Sequence, residues 1–89
     1  MTEVKPSVKS SDMPDDMREE VLKIAVDTLK NSDVEKDIAG GLKEKLDQKY
    51  GPNWHCVVGK HFGSKVSHEA GTFLFFYVGN RAFQVYKFG

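Results

Sequence analysis

Thr72-Phe-Leu-Phe-Phe-Tyr-Val78, then Gly79-Asn80, then Arg81-Ala-Phe-Gln-Val-Tyr-Lys-Phe88 is the stretch whose reading decides the fold. Two runs of aromatic and branched residues flank a Gly-Asn pair, the composition of a two-residue hairpin turn between strands. Phe73, Phe75 and Tyr77 share one face of the first run, and Leu74, Phe76 and Val78 share the other. Upstream, Trp54–Gly59 and Phe62–His68 have the same character and are separated by Lys60-His61. The second half of the chain is therefore expected to form four strands, Trp54–Gly59, Phe62–His68, Thr72–Val78 and Ala82–Phe88.

The first half has a different composition. Residues 1–50 carry 9 basic and 12 acidic side chains and one aromatic, Tyr50, whereas residues 51–89 carry 4 basic residues, the single acid Glu69 and nine aromatics. Met17, Val21, Ile24, Ala25, Thr28 and Leu29 recur at helical spacing, as do Val34, Ile38, Leu42 and Leu46. Asp12 is the expected cap of the first helix, with Pro14 tolerated in its first turn. Ser32 and Glu35 have the form of a capping box for the second, which stops at Gly51-Pro52. Gly40-Gly41 inside that helix costs about 1 kcal/mol per glycine relative to alanine. Close approach of a neighbouring backbone would explain the pair, and an irregular turn is the alternative. The polar opening Thr2–Ser10 holds at best an edge strand around Val8, because Pro6 cannot donate to a ladder. The expected class is α+β, in the order β-α-α-β-β-β-β, with an antiparallel sheet packed on two helices.

Composition bounds the function. At 89 residues with 13 basic and 13 acidic side chains, one neutral domain over 1–89 is expected, small enough that oligomerisation would help stabilise it. Neutrality removes the long-range attraction on which nucleic-acid or anionic-membrane binding depends, so neither partner is expected. The lone Cys56 fits a reducing compartment. Ala70–Asn80 is too short to span a bilayer as a helix, and the opening lacks the apolar core of a signal peptide. A cytosolic protein is the expectation.

Catalytic readings fail one by one. His55 and Cys56 are adjacent on a strand and point to opposite faces, so the imidazole cannot activate the thiol. The spacings of His55, His61 and His68 fit no zinc pattern. Gly59-Lys60-His61 echoes the end of a phosphate loop but lacks its following hydroxyl residue and its leading glycine. No enzyme, no metal and no cofactor is expected.

Phe62–His68 remains. Its two faces both mix apolar and polar residues, and Lys65 is its only charge, so it is expected at a sheet edge: either an ordinary one protected by its twist, or one that pairs with another chain or accepts an extended peptide. The Thr72–Val78 run adds to this. Both of its faces are bulky and apolar, and the helices can cover only one. A partner subunit or ligand is the economical cover for the other.

Tyr50-Gly-Pro-Asn-Trp-His-Cys-Val-Val-Gly59, His61-Phe-Gly-Ser64, Val66-Ser-His-Glu69 and Phe75-Phe-Tyr-Val-Gly79 closely resemble the small dimeric dynein light chains, as do Val8-Lys-Ser-Ser-Asp-Met13 and Val34-Glu-Lys-Asp-Ile-Ala39. The likeness runs from about Val4 to Gly89. The resemblance implies a strand-swapped homodimer in which Phe62–His68 crosses into the partner's sheet. It also implies two grooves at the dimer interface, each taking an extended motif of Thr-Gln-Thr type as an added strand. Lys9, Glu35, Lys36, Phe62, Gly63, Ser64, Val66, Ser67, His68, Phe73, Phe75 and Tyr77 would then contact or shape the bound peptide. A target glutamine would cap the second helix at Glu35-Lys36. The dimer interface would hold His55, Phe62, Ser64, Lys65 and Ser67. At that interface a buried His55 would resist protonation, so acid is expected to favour monomers. The implied role is a non-catalytic adaptor and hub, light chain of a cytoplasmic or axonemal dynein on microtubules, binding the intermediate chain and other disordered motifs. The competing reading is a small regulatory inhibitor that grips a folded enzyme. This chain departs from the resemblance at Lys65 (commonly aromatic), Gln84 (aliphatic), Phe88 (often serine) and Ser67 (threonine).

Overall fold

Alternation along the hairpin resolves into two unequal faces: Leu74, Phe76 and Val78 are buried, whereas Phe73, Phe75 and Tyr77 are half-buried. The computed structural model describes residues 5–89 and runs β1 (Pro6–Ser11), α1 (Asp15–Leu29), α2 (Glu35–Tyr50), β2 (Trp54–Gly59), β3 (Leu74–Val78) and β4 (Arg81–Lys87). The Thr2–Val4 part of the expected polar opening, and the start of the expected domain, lie outside the described residues. The sheet is antiparallel throughout, in the order β1-β3-β4-β2. Phe76 pairs with Phe83 across β3 and β4, and their rings stack at 4.9 Å and 11°. That inner face, with Trp54, Leu74 and Val85, buries Val21 and Ala25 of α1 and Ile38, Leu42 and Leu46 of α2. The helical stripes predicted from spacing thus supply the core, except that Val34 precedes α2 and is exposed.

Three local expectations need correction. Asp12 does not cap α1, which starts after Pro14 with no side-chain cap. Its carboxylate instead accepts the amides of Gly71 and Phe73 at 3.0 and 2.9 Å, tying the end of β1 to the entry of β3. The capping box does not form either. Ser32 Oγ accepts the amide of Val34 at 3.1 Å, and α2 begins after Val34, a residue with no side-chain acceptor. Of the two glycines, only Gly41 meets a neighbour, and that neighbour is a side chain: an added Cβ would sit 3.2 Å from Thr28 Cγ2, whereas one on Gly40 would meet nothing within 4 Å.

The largest correction concerns Phe62–His68. This segment is not a strand of the chain's own sheet, which has four strands rather than five among the described residues. The reason is topological. β2 and β3 both run antiparallel to β4 and flank it, so they are parallel to each other. Parallel strands need a crossover of a dozen or more residues. Residues 60–73 are that crossover, and a chain passing over β4 cannot also sit beside it. It crosses the face opposite the helices, where Phe62 meets Phe75 edge-on at 5.9 Å and Ser64 donates to Gln84.

Candidate functional site

A strand-like sequence forced to cross a sheet makes a groove. Register places Gln84 beside Phe75 and Ala82 beside Tyr77, so β3 and β4 present these four residues to the face away from the helices. The crossover bridges that face, and a cavity of about 420 Å³ opens beneath it, lined by Phe62, Ser64, Val66, His68, Phe73 and Phe75 with Ser10, Lys65 and Gln84. Phe62, Phe75 and Tyr77 form a run of edge-to-face contacts at 5.9 and 5.7 Å. Lys9 holds its ammonium 5.8 Å from the centre of the Tyr77 ring, within cation–π range. His68 stacks on Phe73 at 5.0 Å and faces the Asp12 carboxylate at 3.9 Å. Partial burial opposes ionisation of Asp12, but the Gly71 and Phe73 amides and His68 outweigh it and hold this carboxyl below its ordinary value.

Most of the expected groove residues are therefore brought together by one chain. Gly63 and Ser67 lie on the crossover and are exposed. Glu35 and Lys36 do not line the cavity: they open α2, where Glu35 reaches Arg81 at 3.9 Å near the hairpin turn. His55 is exposed on β2, stacked on Tyr86 at 5.2 Å, with Nε2 3.1 Å from the carbonyl of Phe88.

One feature escaped sequence reasoning, and a second, Gln84, was legible only as a departure from the resemblance. Ser10 reaches the groove because a bulge between Val8 and Ser10 sets it opposite Phe75. Gln84 is 3 % exposed, and its amide faces the crossover; the signal was the alternation Ala82, Gln84, Tyr86. A larger hollow of about 800 Å³ lies between α1 and the Gly79-Asn80 turn. None of the expected peptide or interface residues lines it, and neither do the two unpartnered buried side-chain atoms among the described residues, Trp54 Nε1 and Gln84 Nε2. The smaller cavity carries the chemistry.

Backbone bonding marks the site further. Among the described residues, 60–68 make no backbone–backbone hydrogen bond, and β2 pairs only with β4, so its outer margin is open. No group of three or more His, Cys, Asp or Glu side chains among the described residues could hold a metal ion, and no helix is long and apolar enough to cross a membrane.

Comparison with known proteins gives a consistent answer. The family described as dynein light chain type 1 matches residues 5–88. A Schistosoma mansoni dynein light chain is 46% identical over 89 residues, covering 100% of both chains. Cytoplasmic dynein light chain 1 of Saccharomyces cerevisiae is 51% identical over 82 residues, covering 92% of this chain and 89% of that one. The dynein light chain-like domain of a Fasciola hepatica calcium binding protein superposes with a TM-score of 0.83 at 24% identity, covering 98% of this chain and 94% of that one, a likeness of fold. The chain belongs to the dynein light chain family, the non-catalytic light chains of the dynein motor.

Proposed function

We propose that the chain is a single dynein light chain domain that works as a homodimeric adaptor in the cytoplasm, associated with microtubules through the motor. Each copy lays its Phe62–His68 crossover along the open margin of the partner's β2, completing a fifth strand. The cavity beside the crossover then receives an extended, disordered target segment of Thr-Gln-Thr type, from the dynein intermediate chain or from other proteins. One observation carries this reading: nine consecutive residues, 60–68, of strand-like composition form no backbone hydrogen bond among the described residues, although exposed polar backbone of this kind readily takes a ladder partner. Support comes also from α2, whose first-turn amides have no side-chain cap because Val34 cannot supply one. A glutamine from the target would fill that role, with Glu35 and Lys36 contributed by the second copy.

Sedimentation equilibrium together with calorimetric titration of a Thr-Gln-Thr peptide tests the reading. The expected result is a dimer that binds one peptide per chain, with amide-exchange protection appearing along Phe62–His68 and at Glu35–Lys36. A monomer at every concentration, with no heat of binding at high micromolar peptide, would overturn it.

A further inference from the structure

Gln84 is the one buried polar side chain in the cavity whose bonding is half complete. Its Oε1 accepts from Ser64 Oγ at 2.6 Å, while Nε2, also buried, has no partner. The separation matches an O–H···O contact, which centres near about 2.7–2.8 Å, better than an N–H···O contact near about 2.9–3.0 Å. Turning the amide over would in any case leave one end unpaired. Buried donors without partners are rare in folded proteins because each keeps the desolvation cost with no bond to offset it. Gln84 is one of the residues that line the cavity.

We propose that the unpaired Gln84 carboxamide is a specificity-determining donor in the groove floor, selecting target segments that present a threonine or serine hydroxyl to it rather than an aliphatic side chain. The inference rests on the groove reading above. In an added strand the carbonyls lie in the plane of the ladder, and only alternate side chains reach the floor, so the acceptor must be a side-chain oxygen. The cavity mixes apolar Phe62, Val66, Phe73 and Phe75 with polar Ser10, Ser64, Lys65 and His68; a carboxylate is disfavoured at the donor itself, because Nε2 is buried and an ionised group brought against it would lose its hydration. Threonine fits both needs: its hydroxyl accepts from Nε2 and its methyl packs against the rings. Valine has the same shape without the oxygen, and a site that offers a buried hydrogen-bonding group discriminates against the analogue that lacks the matching atom.

A Thr/Val exchange at each position of a Thr-Gln-Thr peptide, titrated into wild type and Gln84→Leu, tests this. At one floor-facing position threonine should bind wild type roughly fivefold to tenfold more tightly than valine, the effect of one net hydrogen bond. In Gln84→Leu that preference should vanish or invert. The Gln84 side-chain amide resonances of wild type, assigned through bonds from the Gln84 backbone, should shift with the threonine peptide and not with its valine analogue; this readout does not depend on the variant folding. Binding of all peptides to wild type with Thr/Val ratios within about twofold everywhere, and unmoved Gln84 resonances, would overturn the inference and leave the groove standing, with water as the partner of Nε2. No binding of any peptide to wild type would remove the groove reading first, and this inference with it.

Discussion

Replacing Gly40 and Gly41 by alanine, one at a time, should give opposite outcomes although the residues are adjacent in one helix. Both lie inside α2, and neither has a positive φ, so alanine fits the backbone at each. On helix propensity alone each change gains about 0.8–1.0 kcal/mol. Gly40 should realise all of it, because a Cβ there meets nothing within 4 Å. That corresponds to a Tm rise of roughly 4–8 °C in a chain of this size. At Gly41 the new Cβ would stand 3.2 Å from Thr28 Cγ2. Thr28 is 5 % exposed and its hydroxyl donates to the Ile24 carbonyl at 2.8 Å, so rotating the methyl away breaks a bond worth about 1 kcal/mol. The gain is cancelled, and Gly41→Ala should be neutral or destabilising by up to about 1 kcal/mol. Thr28→Ser removes the methyl and keeps the hydroxyl, so in that background Gly41→Ala should recover close to the full propensity gain. Urea midpoints at unchanged m, read at one protein concentration so that association does not contribute, measure all four chains. Equal gains at Gly40 and Gly41, or additivity of Thr28→Ser and Gly41→Ala, would refute the packing account of this helix pair.

Two further outcomes follow from titratable groups. Asp12 has its folded pKa lowered from 3.8, so its contribution to stability is present above that value and lost as pH falls through the folded one. Asp12→Asn should accordingly lower the urea midpoint at neutral pH, and the gap from wild type should close in strong acid; a gap of constant size would contradict the role given to the Gly71 and Phe73 amides. Burial pushes the Cys56 thiol up to about 12, so at pH 8 it should react with a chromogenic disulfide far more slowly in the folded protein than in urea. Equal rates would show that β2 opens readily.

What the sequence made legible was the two helices and the hairpin, where a short period runs along a single element. Val21 and Ala25 of α1, and Ile38, Leu42 and Leu46 of α2, are fully buried at the positions spacing assigned them, and the Gly79-Asn80 turn joins β3 to β4 as expected. What it hid depended on partners distant in the chain. Asp12 looks like a cap locally, but amides at Gly71 and Phe73, about sixty residues on, engage it instead. Ser32 looks like half of a capping box, yet its hydroxyl closes a tighter turn onto Val34. Gln84 stood out only as a departure from a familiar pattern, and its orphaned nitrogen becomes visible only once register sets it beside Phe75.

Phe62–His68 belongs to a third kind, a segment read as a strand that forms none in the chain's own sheet. Its residues have strand character, and the sheet that would take them up is not their own, because β4 separates the two strands they connect. Among the described residues the sheet has two edges, β1 and β2, and the open margin of β2 is matched by an unpaired segment, residues 60–68, in the same chain. Within a single chain the segment is drawn away from that margin, because it crosses β4 to reach β3; between two chains a twofold axis would let both deficits close at once. The doubling matters energetically. Each ladder bond nets only about 0.5–1.5 kcal/mol, while bringing two molecules together costs several kcal/mol however many bonds result. A reciprocal exchange forms two ladders for one association cost, whereas a one-sided contact forms a single ladder at the same cost. The proposed dimer is thus the assembly that this topology favours, and the second margin of each crossover, still unpaired after the exchange, is where a target segment would add.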